Sequence, residues 1–208
     1  MSIINISDVT VLNNPAPFTD PYVFKITFEC MAPLQDDLEW KLTYVGSAES
    51  ESFDQELDTC MVGPVPVGVN SFEFEAAAPL PSRIPPSDLV GVTVILLTCA
   101  YNDQEFVRIG YYVNTEYGDP ALKTQHDAAQ EDGAQERGIS APDPTQHIDK
   151  LVRSVLADKP RVTKFNITWD TPVAAPSSAA VATQVLSPDA ALPPPPFNPY
   201  QPAKASEA

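Results

Sequence analysis

The chain has 208 residues, enough for one domain with a full hydrophobic core plus accessory segments, and is read as one domain rather than two. Twenty-eight acidic residues against 12 basic ones leave a net charge of −16, which argues against nucleic acid as the direct partner and for a basic protein. Residues 1–117 hold 17 acids and four bases, whereas 148–170 hold three acids and five bases, so the acidity belongs to the part expected to fold. The N-terminus lacks a basic stretch followed by an apolar one, and no apolar run nears about 20 residues. The expectation is a soluble chain, not bound to membrane and not secreted by the usual route.

Residues 3–12 are rich in β-branched side chains and predict a first strand, closed by Asn13-Asn14-Pro15. Ile4 and Ile6 share one phase and Val9 and Val11 the other, which suggests a bulge near Ser7-Asp8. A second strand over 22–31 puts Phe24, Ile26, Phe28 and Cys30 on one face, and a third over 38–45 follows the polar turn Gln35-Asp36-Asp37. Beyond a Ser/Glu-rich loop, 53–62 reads as a fourth strand and 71–76 as a short fifth, separated by Gly63-Pro64-Val65-Pro66. A Pro-rich loop then leads to the most apolar stretch of the chain, residues 90–101.

That stretch is apolar on both faces, with Val92, Val94 and Leu96 on one side and Ile95, Leu97 and Cys99 on the other. In an antiparallel sandwich only one side is core. Its hairpin partner, 105–114, puts Val107, Ile109, Tyr111 and Val113 on one face and Phe106, Arg108, Gly110 and Tyr112 on the other. A three-residue loop at 102–104 would set Val94 opposite Tyr112 and send Ile95 and Leu97 inward, and a two-residue loop would reverse the faces. In either register apolar side chains are left over beside Arg108. They need a cover, from this chain or from another molecule.

Residues 118–147 are poor in apolar side chains and acidic, and are expected to form a disordered insertion. Residues 148–156 place Ile148, Leu151, Val152, Val155 and Leu156 at helical spacing and predict a short amphipathic helix. A last strand is expected over 161–169, with a bend because Val162, Phe165, Ile167 and Trp169 break phase. From 171 to 208, nine prolines among many alanines predict a disordered tail. The architecture is thus all-β: a β-sandwich with a short C-terminal helix and a disordered tail.

Cys30, Trp40 and Cys99 mimic the spacing of an immunoglobulin domain, but without a secretory signal Cys30 and Cys99 are better read as buried thiols than as a disulfide. No catalytic set is present: there is no G-x-S-x-G, no phosphate loop and no Cys or His pair at metal spacing, so neither an enzyme nor a cofactor is expected. Paired acids such as Asp36-Asp37 are turn carboxylates before they are acid-base catalysts.

Six segments in order closely resemble the anti-silencing-function histone chaperones: Leu38-Glu39-Trp40-Lys41, 44–50 (Tyr-Val-Gly-Ser-Ala-Glu-Ser), Val62-Gly63-Pro64-Val65-Pro66, Gly91-Val92-Thr93-Val94, 108–114 (Arg-Ile-Gly-Tyr-Tyr-Val-Asn) and Pro160-Arg161-Val162-Thr163. The resemblance covers 1–117 and resumes at about 148, so that 1–170 would form the chaperone domain. It implies an immunoglobulin-like sandwich and a nuclear, ATP-independent chaperone that binds the histone H3–H4 dimer one-to-one, without direct DNA contact. It further implies that the C-terminal helix of H3 covers the face of Val92, Val94 and Leu96. Asp54, Asp88, Arg108 and Tyr112 would ring the contact, with Val45, Ala48 and Glu49 nearby. The H4 tail would add as a strand near Arg161 and Thr163. A second surface implied by the resemblance takes short basic motifs of assembly factors at Asp36, Asp37, Glu39, Phe28, Cys60, Val62, Pro64 and Phe72. For Phe28 and Phe72 the alternative is plain core packing. Two departures stand out, a longer 118–147 connection and a tail that is Pro/Ala-rich instead of acidic. The alternatives to the chaperone reading are an immunoglobulin-like adaptor for other basic peptides and a hydrolase built on paired acids.

Overall fold

The computed structural model describes residues 2–170. In chain order the elements are β1 (Ile4–Val11), β2 (Ala16–Pro17), β3 (Tyr22–Cys30), β4 (Leu38–Tyr44), β5 (Gln55–Val62), β6 (Gly68–Ala76), β7 (Gly91–Tyr101), β8 (Gln104–Tyr117), α1 (Pro120–Gln130), β9 (Leu151–Val155) and β10 (Arg161–Lys164). Every pairing is antiparallel. One sheet has the order β1-β3-β6; the other runs β2-β9-β8-β7-β4-β5, with β10 also paired to β8. The expected tail at 171–208 lies outside the described residues.

Alternation builds the core. Tyr22, Phe24, Ile26, Phe28 and Cys30 of β3 are buried, as are Leu38, Trp40, Leu42 and Tyr44 of β4, each at every second position. Rings from the two sheets meet: Phe24 lies 6.0 Å from Tyr111 and Phe28 6.1 Å from Trp40. Both Cys30 and Cys99 are buried free thiols, as read from the sequence. The register of β1 slips between Ile6 and Asp8, which turns Val9 and Val11 back to the side of Ile4 and Ile6. This arrangement is an immunoglobulin-like β-sandwich. Among the described residues no helix is long and apolar enough to cross a membrane.

The β7–β8 hairpin reaches the register of the three-residue loop by another route. Asn102 and Asp103 both have positive φ, 49° and 59°, and form a two-residue turn. Tyr101 then pairs with Gln104 and Ala100 with Glu105, but Cys99 pairs with Val107, so Phe106 is an extra residue. The bulge restores the phase that the short turn would have reversed. Ile95, Leu97, Ile109 and Tyr111 consequently face the core, and Val92, Val94, Leu96 and Tyr112 face outward.

Three expectations require correction. Residues 148–156 are not a helix: a 3-10 turn at Ile148–Lys150 leads into β9, which pairs with β8 from Val113 to Tyr117. Its inward residues are Leu151, Arg153 and Val155, and the charge on Arg153 concealed a period of two. Arg153 is 0% exposed; its Nη2 donates to the carbonyls of Asp20 (3.2 Å) and Pro21 (2.7 Å), and its guanidinium lies 3.7 Å from the centre of the Tyr22 ring. The one short helix of the described residues instead lies within 118–147, where disorder was expected. Asp119 caps α1 by accepting from the Ala121 amide (2.8 Å), Pro120 occupies the first turn, and Lys123 pairs with Glu116 at 2.8 Å. Finally, the last strand stops at Lys164; the chain leaves the sheet so that Trp169 can pack on Tyr101 (5.4 Å) and Phe106 (5.1 Å).

Candidate functional site

The outward face of β7 and β8 carries the side chains left over by the core. Val92 is 68% exposed and Tyr112 39%, while Val94 and Leu96 are half-buried beside them. Val94 pairs with Tyr112 and Leu96 with Gly110 across the hairpin. Gly110 has no side chain to fill the space above Leu96, so a dip opens there.

Two adjoining depressions share this face. One, of about 300 Å³, is lined by Val45, Ala48, Asp88, Val92, Val94 and Tyr112, together with Gly46, Ser47, Ser87, Val90 and Thr93. The other, of about 320 Å³, is lined by Val94, Leu96, Arg108, Tyr112, Arg161 and Thr163, with Gly110 and Tyr111. All residues expected at the histone contact therefore line one depression or the other, except Glu49 and Asp54, which flank the first. Ser47, Ser87, Val90 and Thr93 were not anticipated, whereas Gly110 was read onto the outward face beside Arg108 and Tyr112. Alternation with Val92 and Val94 would have pointed to Val90; the others are small or polar and carry no sequence signal of their own.

Local interactions hold the rim. The Val45 amide donates to the Val94 carbonyl (2.9 Å) just beyond the end of β4, and the Thr93 hydroxyl donates to the Val45 carbonyl. Gly46 lies against the backbone of a 3-10 turn, Glu51–Phe53, so closely that a Cβ there would overlap the Phe53 carbonyl. That approach brings Asp54 to the edge of the depression. Burial pushes its carboxyl pKa up, countered by the Gly46 N–H and reinforced by Glu51. Gln55 is buried and exchanges hydrogen bonds with the Leu80 backbone (2.8 and 3.2 Å), tying the start of β5 to the loop that presents Ser87 and Asp88. Arg108 is held by Glu105 through two bonds, Nε to Oε1 at 2.7 Å and Nη2 to Oε2 at 2.9 Å, which raises the Arg108 pKa further and orients its fork. β10 pairs with β8 through one edge, and among the described residues its other edge is unpaired.

A separate acidic pocket of about 380 Å³ is lined by Asp36, Asp37 and Glu39 with Gln35, Met61, Asn102 and Asp103. The Asp37 carboxylate occupies the space that a Cβ on Gly63 would take. Beside the pocket, β5 is the last strand of its sheet, with Met61 61% exposed. Val62 and Cys60 are half-buried and Pro64 is exposed. Burial pushes the Cys60 thiol up to about 11, with Asp58 adding to the shift. Phe28 is not at the surface: it is buried beneath Phe72, their ring centres 6.3 Å apart, so of the two only Phe72 is partly open. Among the described residues no group of His, Cys, Asp and Glu could hold a metal ion.

Residues 1–170 match the family model described as ASF1 like histone chaperone. Over 172 residues the chain is 60% identical to histone chaperone ASF1 of Mycosarcoma maydis, covering 82% of this chain and 88% of that protein. It is 57% identical over 170 residues to histone chaperone ASF1 of Candida albicans, covering 82% and 62%, and 57% identical over 173 residues to histone chaperone cia1 of Schizosaccharomyces pombe, covering 83% and 62%. Apart from the first, the chain thus spans about three-fifths of the length of these relatives.

Proposed function

Since the chain belongs to the ASF1-like histone chaperone family, whose members are binding proteins and not enzymes, we propose that it binds the histone H3–H4 dimer through the outer face of β7 and β8. The C-terminal helix of H3 lies across Val92, Val94, Leu96 and Tyr112 and buries the apolar side chains that the core leaves over. Asp54 and Asp88, with Glu49, face the basic surroundings of that helix, and Arg108 supplies a fixed cation at the far side. Covering the helix blocks the contact through which two dimers would form a tetramer. The H4 tail adds as a strand to the free edge of β10 beside Arg161 and Thr163. The chaperone hands the dimer on for nucleosome assembly and disassembly in the nucleus, with no ATP step.

The second surface takes short basic motifs of assembly factors. Asp36, Asp37 and Glu39 pair with Arg or Lys, and the free edge of β5 next to Val62, Pro64 and Phe72 receives the backbone.

The observation that carries this reading is the outward set Val92, Val94, Leu96 and Tyr112 on strands whose other face is already core. Sedimentation of H3–H4 with an excess of the full chain is the test. A species with the mass of one chaperone and one H3–H4 dimer is expected. Undiminished tetramer would refute the blocking mechanism, and no association at all would refute the histone assignment in favour of an adaptor for other basic peptides.

A further inference from the structure

The segment 118–147 is not inert surface. The Tyr117 hydroxyl, at the end of β8, donates to the Pro142 carbonyl (3.0 Å), and the His126 ring of α1 packs 5.6 Å from the Tyr117 ring. Gln125 Nε2 donates to the Ser140 carbonyl (3.1 Å), joining α1 to the returning chain. The segment therefore stands as a wall, and between it and Pro86, Ser87 and Val90 lies a cleft of about 600 Å³ with Gln130 and Ala141 exposed at its mouth. Ser87 and Val90 line this cleft and also the depression beside Val94, so the two adjoin.

Charge names the kind of occupant. Residues 118–146 carry six acids and two bases. The segment is therefore net negative, with Asp143 on the cleft lining itself and both bases held in ion pairs, Lys123 with Glu116 at 2.8 Å and Arg137 with Glu131 at 3.1 Å. Position names the chain. β10 pairs with β8 at Val107 to Gly110, Tyr112 stands in the middle of β8, and Tyr117 ends it, roughly 30 Å from Val107 at strand rise. The H4 strand and the cleft therefore lie at opposite ends of β8, with the H3 helix between them.

Resting on the proposed histone reading, we propose that this cleft takes a basic segment of H3 that runs off the end of the docked helix, so that 118–147 extends the histone surface beyond the sandwich. The contact is charge complementarity with Asp143 and the net-negative segment around it, next to the Val94 depression.

The test uses the full chain and the H3–H4 dimer. Ala141→Arg, which puts a cation in the cleft mouth, is expected to weaken binding roughly tenfold, with a flatter salt dependence. Gln130→Lys, further out on α1, should act in the same direction and serves if the first variant does not fold. In parallel, a photoreactive benzoylphenylalanine in place of Gln130 should crosslink to H3 outside its C-terminal helix. Parent-like binding by both variants would overturn the proposal, as would crosslinks to H4 or to this chain's own residues 171–208. Failure of the histone reading is separately visible as no binding by the parent, and that too would overturn the proposal.

Discussion

Val94 of β7 stands directly opposite Tyr112 of β8, and these are the two residues that line both depressions of the outer sheet face. A helix laid across the face must cross this pair whichever way it runs. Both side chains point away from the core, so Val94→Arg is expected to leave stability within about 0.5 kcal/mol of the parent in urea unfolding. A larger loss would mean that Val94 belongs to the packed interior.

Gly46→Ala tests the route by which the Val45–Ala48 loop carries Asp54. A Cβ at this position meets the Phe53 backbone, which cannot swing aside as a flexible side chain could. The turn at Glu51–Phe53 has to shift, at a cost of about 1–3 kcal/mol, and Asp54 moves with it. Lower stability together with weaker histone binding is expected; an unchanged urea midpoint would contradict the close approach.

The acidic pocket is separable from the outer face. Asp37→Ala should weaken binding of basic assembly-factor peptides while leaving histone affinity as it was. Gly63→Ala should do the same by displacing the Asp37 carboxylate from the space it occupies. Peptide and histone titrations on each variant check this, and loss of both activities from either substitution would show that the two surfaces are coupled.

Arg153 clamps the 20–21 backbone to β9 from a fully buried position. Arg153→Leu removes the cation from the Tyr22 ring and the Arg153 donor from the Asp20 carbonyl, while the Pro21 carbonyl keeps the Asn13 amide (2.6 Å), a loss of about 2–4 kcal/mol. Histone affinity should not change, because Arg153 faces the core and not the outer surface. A neutral effect on unfolding would mean that the buried guanidinium adds nothing to stability.

Asp54 has a native pKa above its ordinary value, mainly from desolvation. The native state therefore holds the proton more tightly than the unfolded chain, and stability falls as pH rises through the interval between the two values. Asp54→Asn removes that dependence. Its stability relative to the parent should be greater at pH 7 than at about pH 3, where both chains carry a neutral side chain at this position. A difference that stays constant with pH would contradict the raised pKa.

Much of the sandwich was legible from alternation. β3 and β4 bury every second residue, as their sequences show without help, and the Ile6–Asp8 slip was visible as a change of phase. The hairpin was harder. Its outward face depends on an extra residue at Phe106 that compensates a two-residue turn, and neither part is encoded in hydrophobic spacing alone. β9 was misread because Arg153, the residue in the middle of its inward face, is charged, and its burial depends on carbonyls more than 130 positions away. The order of 118–147 rests on an N-cap, a tyrosine hydroxyl and a few polar contacts, which leave little trace in composition. Most of the outer-face residues came from the family resemblance; all of them but Glu49 and Asp54 line the two depressions, alongside Ser87 and Val90. Phe28, counted with the acidic pocket, supports Phe72 from below instead of reaching the surface.

The central claim is that histones dock on the outer face of β7 and β8. It is tested most directly by calorimetric titration of the H3–H4 dimer into the full chain and into Val94→Arg at the same salt concentration. Tight one-to-one binding by the parent, weakened by about 100-fold or more in the variant, is the predicted result, since a cation would sit in an apolar contact against a basic partner. Equal affinity for the two proteins would contradict the assignment of the face.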